Sequence, residues 1–240
     1  MTTAQQLYDV CDATWPPVRF IPQGPWTLRE GQGGGKRVSA ASANGPVTEA
    51  DIDAAIAGLA ELNQKPLFQV RDGDDALDAM LEARGFVVID PVVLYITPVE
   101  TLTDKPIPKV TAFSIWEPLA IMEEIWAKGG IGPARLAVMA RAKLKTGILS
   151  RWNEQPAGVA FAAIHDGVCM VHAVEVLKHQ RRQGVADWMM RKAAFWAQEN
   201  GAHSLSVLCV ATNVAANALY QKSGFAEVGR YHYRHLEDAS

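Results

Sequence analysis

The chain has 240 residues, 49% of them hydrophobic, with 23 Lys and Arg against 26 Asp and Glu for a formal net charge of -3. That length can bury a substantial core as one large domain or two small ones, and the near balance of charge excludes a nucleic-acid binder working by bulk positive charge while leaving room for a local basic site. Cys11, Cys169 and Cys209 are odd in number and share no short metal-ligand spacing, which speaks against a disulfide framework or a bound metal and for small buried thiols in a reducing compartment.

The opening Met-Thr-Thr-Ala-Gln-Gln carries neither a basic nor an apolar targeting segment, and no run of 18 apolar residues follows, so the expectation is a soluble, cytoplasmic protein without a membrane partner. Residues 7–20 give few periodic clues beyond the break at Trp15-Pro16-Pro17. Residues 26–29 and 36–41 flank Gly31-Gln32-Gly33-Gly34-Gly35 and read as a hairpin around a mobile turn. The glycine run beside Lys36 is not a magnesium-phosphate loop, since Glu30 occupies the first glycine position and Arg37 stands where Ser or Thr belongs. Thr48 with Asp51 resembles a capping box, and Ile52, Ile56, Leu59 and Leu62 continue it as an apolar helix face. A strand over 66–70, a helix over 74–84 and a strand over 87–96, interrupted at Asp90-Pro91, complete this part.

Pro98, Pro106 and Pro108 among polar residues mark a linker at 101–109 between an N-terminal domain, 1–100, and a C-terminal one, 110–240. The second domain reads as a strand at 110–115, helices at 117–128 and 134–143 around Gly129-Gly130-Ile131-Gly132-Pro133, and strands at 146–152, 157–165 and 168–176. A helix over 185–200, a strand over 204–210, a helix over 213–223 and a strand over 226–233 follow.

The stretch from Val171 to Ala186 organises this domain. An apolar strand, a basic and polar turn and a helix opened by Gly184 make an anion site. The first amides of the helix lack intrahelical partners, glycine has no Cβ to block approach, and the helix dipole and Arg181 and Arg182 add positive charge. A diphosphate is expected to lie on the backbone of Gln183, Gly184, Val185 and Ala186 with Arg181 and Arg182 as clamps.

Arg181-x-x-Gly184-x-Ala186 resembles the pyrophosphate loop of the GNAT superfamily of N-acetyltransferases, and Asn213-Val-Ala-Ala216-Asn-Ala-Leu219-Tyr220-Gln-Lys222-Ser-Gly224-Phe225 resembles that family's later N-x-x-A-x-x-L-Y-x-K-x-G-F segment. The element order over 110–235 is also the family's. The resemblance implies an α/β (α+β) GNAT fold, a mixed central sheet flanked by helices, with a smaller, degenerate GNAT-like N-terminal domain that lacks the loop and whose Ala79 to Phe86 aligns under Ala218 to Phe225 with Leu81 for Tyr220. An ordinary α/β domain is the open alternative for that half. Its expected work is structural, packing on the catalytic half and walling one side of the cleft.

The resemblance further implies acetyl-CoA (coenzyme A) as co-substrate, no metal, and direct attack of a primary amine on the thioester. Val174, Glu175 and Val176 match the splayed strand whose amides hold the pantetheine arm and thioester oxygen, Tyr220 matches the general acid toward sulfur, Asn213 matches a contact to the cofactor arm, and Lys222 lies near the phosphates or is simply solvated. The base stays open between His172, Glu175 and relayed water. His172 and Glu175 have opposite strand parity and share a face only across a bulge. The other histidines, His165, His179, His203, His232 and His235, are assigned no catalysis.

The acceptor is expected to be a small-molecule amine, with a peptide N-terminus or lysine, or a non-catalytic acyl-CoA sensor, as alternatives. Glu117, Glu123 and Glu124 are candidates for an acidic cleft or a solvated helix face. A homodimer through exposed Trp or Tyr of the last strand is also open.

Overall fold

A single mixed sheet of eleven strands organises residues 3–237, the part of the chain described by the computed structural model. Helix α1 (Ala4–Thr14) opens on a reciprocal cap between Thr3 and Gln6 and buries Leu7, Tyr8, Val10, Cys11 and Thr14. Strands β1 (Arg19–Gln23) and β2 (Trp26–Glu30) form a hairpin around Gly24 at φ +57°.

The expected hairpin of 26–29 with 36–41 does not form. Lys36–Val38 is a single 3-10 turn, and β2 meets β3 (Ala41–Ala43) only at Trp26 and Thr27. Nor is the glycine run a loose turn: Gly34 is buried where an added Cβ would stand 2.6 Å from a Val138 methyl. Helix α2 (Glu49–Glu61) starts on the Thr48–Asp51 box, and β4 (Leu67–Arg71), α3 (Asp75–Ala83) and β5 (Val87–Pro98) follow. Strand β5 absorbs Asp90-Pro91 without a break, with Asp90 at φ +44°.

The C-terminal elements keep the expected order. They are β6 (Ala112–Ile115), α4 (Ala120–Lys128), α5 (Pro133–Arg141), β7 (Leu144–Trp152), β8 (Gln155–His165), β9 (Val168–Val176), α6 (Val185–Glu199), β10 (Ser204–Val210), α7 (Val214–Lys222) and β11 (Ala226–His235). Helix α6 covers one face of the sheet, on Ala160, Ala162, Cys169, Val171, Leu205 and Val207. Helices α1, α4 and α5 cover the other, on Phe161, Ala163, Val168 and Met170. The alternation of Val168 and Met170 against Cys169 and Val171 is what a strand buried on both faces requires.

Across the sheet the order is β1-β2-β3-β4-β11-β5-β10-β9-β8-β7-β6. Each half supplies a strand-helix-strand unit, β4-α3-β5 and β10-α7-β11, whose helix ends alike: Phe86 N–H returns to Leu81 C=O at 3.0 Å and Phe225 N–H to Tyr220 C=O at 3.1 Å, across Gly85 and Gly224 at φ +82° and +84°. The last strand of each unit pairs with the other half. Strand β11 lies between β4 and β5, and β5 lies between β11 and β10.

The segment 101–109 therefore joins two parts that share one sheet through exchanged strands. Strand β11 is interior and its Tyr231 and Tyr233 are buried, so the last strand offers no exposed aromatics for pairing protomers. The sheet edges are β1 and β6.

Candidate active site

Strands β9 and β10 run parallel and pair from Ser204↔Val168 to Val207↔Val171, and no further. Beyond that point they part. Leu177 N–H turns back to Ala157 C=O of β8 at 2.9 Å, so strand alternation turns the amides of Val174 and Val176 into the opening. A cavity of about 660 Å³ fills the split, lined by Val174, Glu175, Val176, Arg181, Arg182, Gly184, Val185, Ala186, Asn213 and Tyr220 among others. All the expected binding positions meet there except Gln183, whose exposed side chain does not line the cavity.

At the mouth, Arg182 and Gly184 take left-handed φ values of +63° and +77°, which curls the backbone into a nest of amides before α6. Gly184 caps α6 without a side-chain acceptor, so the first amides of that helix face the cavity unsatisfied. Arg181 is braced through Nε to Val176 C=O at 3.3 Å. Uncapped amides, a dipole end and two guanidinium groups fit a diphosphate, and the freed amides of β9 fit the amide-bearing arm of coenzyme A.

The parity question is resolved by the backbone. The β8–β9 register shifts between Val159↔Glu175 and Phe161↔His172, with Ala173 as the extra residue at φ +51°. Trp126 Nε1–H donates to Ala173 C=O at 2.8 Å and holds the bulge. His172 and Glu175 consequently face the same side of the sheet.

Their chemistry differs sharply. Thr14 Oγ1 donates its hydrogen to Val10 C=O at 2.7 Å, so it accepts from His172 Nε2–H at 2.9 Å, and His172 Nδ1 accepts from Arg37 at 2.8 Å. Both ring nitrogens are occupied. Burial, with the Arg37 charge beside it, holds the imidazole pKa well below its ordinary value. His172 is thus corrected from a base candidate to a neutral acceptor that orients Arg37. Glu175 is half-buried on the cavity wall against Gly129, and burial raises its carboxyl pKa while Arg181 and Arg135 pull it back.

Tyr220 is buried on α7 between Tyr95 and Phe225, ring centroids 6.0 and 5.6 Å away, and its edge lines the cavity. Desolvation raises its phenol pKa well above the ordinary value, with Cys209 adding to the effect. The hydroxyl is a neutral donor at physiological pH. Asn213 also caps α7, its side chain accepting from Ala216 N–H at 3.2 Å. Lys222 is exposed and lines none of this cavity, and Glu117, Glu123 and Glu124 lie outside it. Glu117 and Glu123 border a separate depression with Trp116 and Lys145.

An adjoining recess of about 210 Å³ shares Arg37, Ala173 and Val210 with the main cavity, and Trp15, Gly34, Arg135 and Tyr231 help to line it. Its N-terminal and β11 residues were not legible as site residues. The one available signal was Lys36-Arg37 beside a glycine run, a basic pair on a close-packed turn.

Residues 119–225 match the family model described as acetyltransferase (GNAT) family. A stretch of 82 residues is 28% identical to the uncharacterized N-acetyltransferase YobR of Bacillus subtilis (strain 168), covering 34% of this chain and 33% of that protein, so the match spans about a third of the relative's length. A GCN5-related N-acetyltransferase from Kribbella flavida superposes with a TM-score of 0.74 at 19% identity, over 100% of this chain and 97% of that one. A tandem GNAT protein from the clavulanic acid biosynthesis pathway superposes at 0.59 with 10% identity, over 84% and 76%. The segment 119–225 is thus similar to the GNAT acetyltransferase family, and the chain as a whole has the GNAT fold.

Proposed function

We propose that this protein transfers the acetyl group of acetyl-CoA to a primary amine of a small molecule. The observation that carries the reading is the convergence, on one cavity, of the amide nest at 182–186, the freed amides of β9, the Glu175 carboxyl and the Tyr220 hydroxyl.

In this reading the nest and Arg181 and Arg182 hold the diphosphate, and the Val174 and Val176 amides align the pantetheine arm and the thioester carbonyl oxygen. One such oxyanion donor is typically worth about 100- to 1000-fold in rate. Glu175 takes the proton of the attacking amine, directly or through water. Its raised pKa makes it a better match to an ammonium than a solvated carboxylate would be. As the carbon–sulfur bond breaks, the Tyr220 hydroxyl donates to the departing sulfur.

Thiol release from acetyl-CoA, screened over amines, amino acids and peptides, tests the reaction. Release that depends on a small amine supports it. Release with peptides alone moves the acceptor to a polypeptide, and tight CoA binding without release under any acceptor points to a sensor.

A further inference from the structure

The three most deeply buried arginines outside the cleft each hold a carboxylate: Arg29 holds Asp12 at 2.6 Å, Arg234 holds Asp78 at 2.7 Å, and Arg191 holds Asp187 at 3.0 Å together with Asp104. Arg37 departs from that rule. Its guanidinium lies 5.0 Å over the Trp15 ring and donates to the neutral His172 at 2.8 Å, in a pocket completed by Cys11, Tyr231 and Tyr233. No carboxylate stands within ion-pair distance of it among the described residues. Cys11, Tyr231 and Tyr233 are all uncharged at neutral pH because burial raises their pKa values, so among the described residues no ion pair balances the charge. A largely buried, uncompensated cation is costly, and a protein that retains one at a cleft has a use for it.

A second guanidinium points into the same recess. Arg135 packs against Gly35, where an added Cβ would stand 3.3 Å from its Nε, and it too has no ion pair among the described residues. Lys36, the remaining cation there, is matched by Asp90 at 2.7 Å. The recess therefore carries an excess of positive charge, opposite to an acidic cleft that would draw polyamines. Its volume of about 210 Å³ is below the roughly 300–1,000 Å³ of a drug-sized pocket and suits a compact acceptor. It opens into the main cavity at Ala173, two residues from Glu175 on the bulged strand.

We propose that the acceptor is an amino acid whose carboxylate sits in this recess against Arg37 and Arg135 while its amine is presented to Glu175 at the strand split. The proposal rests on the acetyl-transfer reading above and narrows its substrate class. Arg37 is a binding residue here, and His172 and Thr14 act through it as positioning residues that fix the direction of its fork.

The test compares the twenty common L-amino acids with their carboxamides, which keep the amine and the shape but lose the negative charge. In thiol-release assays the preferred amino acid is expected to exceed its amide in kcat/KM by about 10- to 100-fold, the worth of a charge-assisted hydrogen-bonded pair. R37Q is expected to collapse that ratio toward one, while R37K retains part of it. R135Q, whose side chain is not tied to His172, gives the same direction if R37Q folds poorly.

A wild-type ratio at or below one, or an R37Q loss equal for acid and amide, overturns the proposal. Calorimetric titration of the same amino acids into the CoA-loaded protein separates the two readings. Heat that is lost in R37Q without any thiol release upholds the recess and removes acetyl transfer. Release with amides and simple amines, but no binding preference for carboxylates, upholds acetyl transfer and removes the recess. Neither binding nor turnover of amino acids overturns the recess outright.

Discussion

Glu175 and Tyr220 share one cavity and are both perturbed by burial, with opposite consequences for what each holds at neutral pH. Desolvation keeps the phenol protonated, so its hydroxyl is present as a donor, and makes the carboxylate a stronger base. Tyr220→Phe is expected to lower kcat by about 100-fold or more, within the range of general-acid contributions, with CoA affinity little changed by calorimetry. Glu175→Gln is expected to remove the acidic limb of the pH–rate profile, since the carboxylate proposed as base works only above its own pKa.

The same shift fixes a stability effect of opposite sign to the activity loss. A carboxyl whose folded pKa is raised favours the fold fully below its unfolded value of about 4.3 and loses that contribution as pH rises through the folded value. At pH 7 its charge therefore opposes folding. Glu175→Gln should melt higher than wild type near neutrality, and the gap should close below about pH 4; a lower Tm for the variant at pH 7 would contradict the burial account. Parity alone left His172 and Glu175 unresolved, because nothing in Ala173 announces a bulge. The bulge depends on a tryptophan 47 positions away in sequence, through the Trp126 bond to its carbonyl.

The turn between β9 and α6 was the most legible element, because its chemistry is local: a left-handed glycine, basic neighbours and a helix start can all be read from adjacent residues. Gly184→Val is expected to cost stability by about 1–2 kcal/mol, the penalty for a side chain at left-handed φ, since an added Cβ meets only the Trp188 ring at 4.0 Å. CoA binding should weaken far more than that, and unchanged affinity in calorimetry would remove the turn from the site. Other elements were less readable for different reasons.

Helix α1 carried a signal, the Thr3–Gln6 box with Leu7, Tyr8, Cys11 and Thr14 at helical spacing, masked by its proximity to Trp15-Pro16-Pro17. The hairpin of β1 and β2 was misplaced because the glycine run drew the turn away from Gly24-Pro25. Strand β5 runs through Asp90-Pro91 because tertiary pairing with β10 and β11 overrides a local breaker.

At the scale of the molecule, exchange of β5 and β11 makes one cooperative body of two similar halves. No sequence pattern reveals which strand lies beside which, so the order of elements was readable and their partnership was not. Each half cut at 101–109 would lose an interior strand and expose an unpaired edge on its remaining sheet. The full chain is therefore expected to melt in one transition by calorimetry and by circular dichroism alike, and the fragments 1–105 and 106–240 to fold together but not apart. Two separate transitions, or a soluble and cooperatively folded C-terminal fragment, would show the halves to be independent.

The exchange also explains how the proposed acceptor recess forms. It brings Tyr231 and Val92 beside the N-terminal turn that carries Arg37, so the recess exists only in the assembled sheet.

The most direct measurement of the central claim is a crystal structure with coenzyme A bound. The diphosphate is expected on the amides of residues 183–186, between Arg181 and Arg182, with the pantetheine arm paired to Val174 and Val176 and the sulfur beside the Tyr220 hydroxyl. Coenzyme lodged outside the split between β9 and β10, or a diphosphate held elsewhere on the surface, would contradict it.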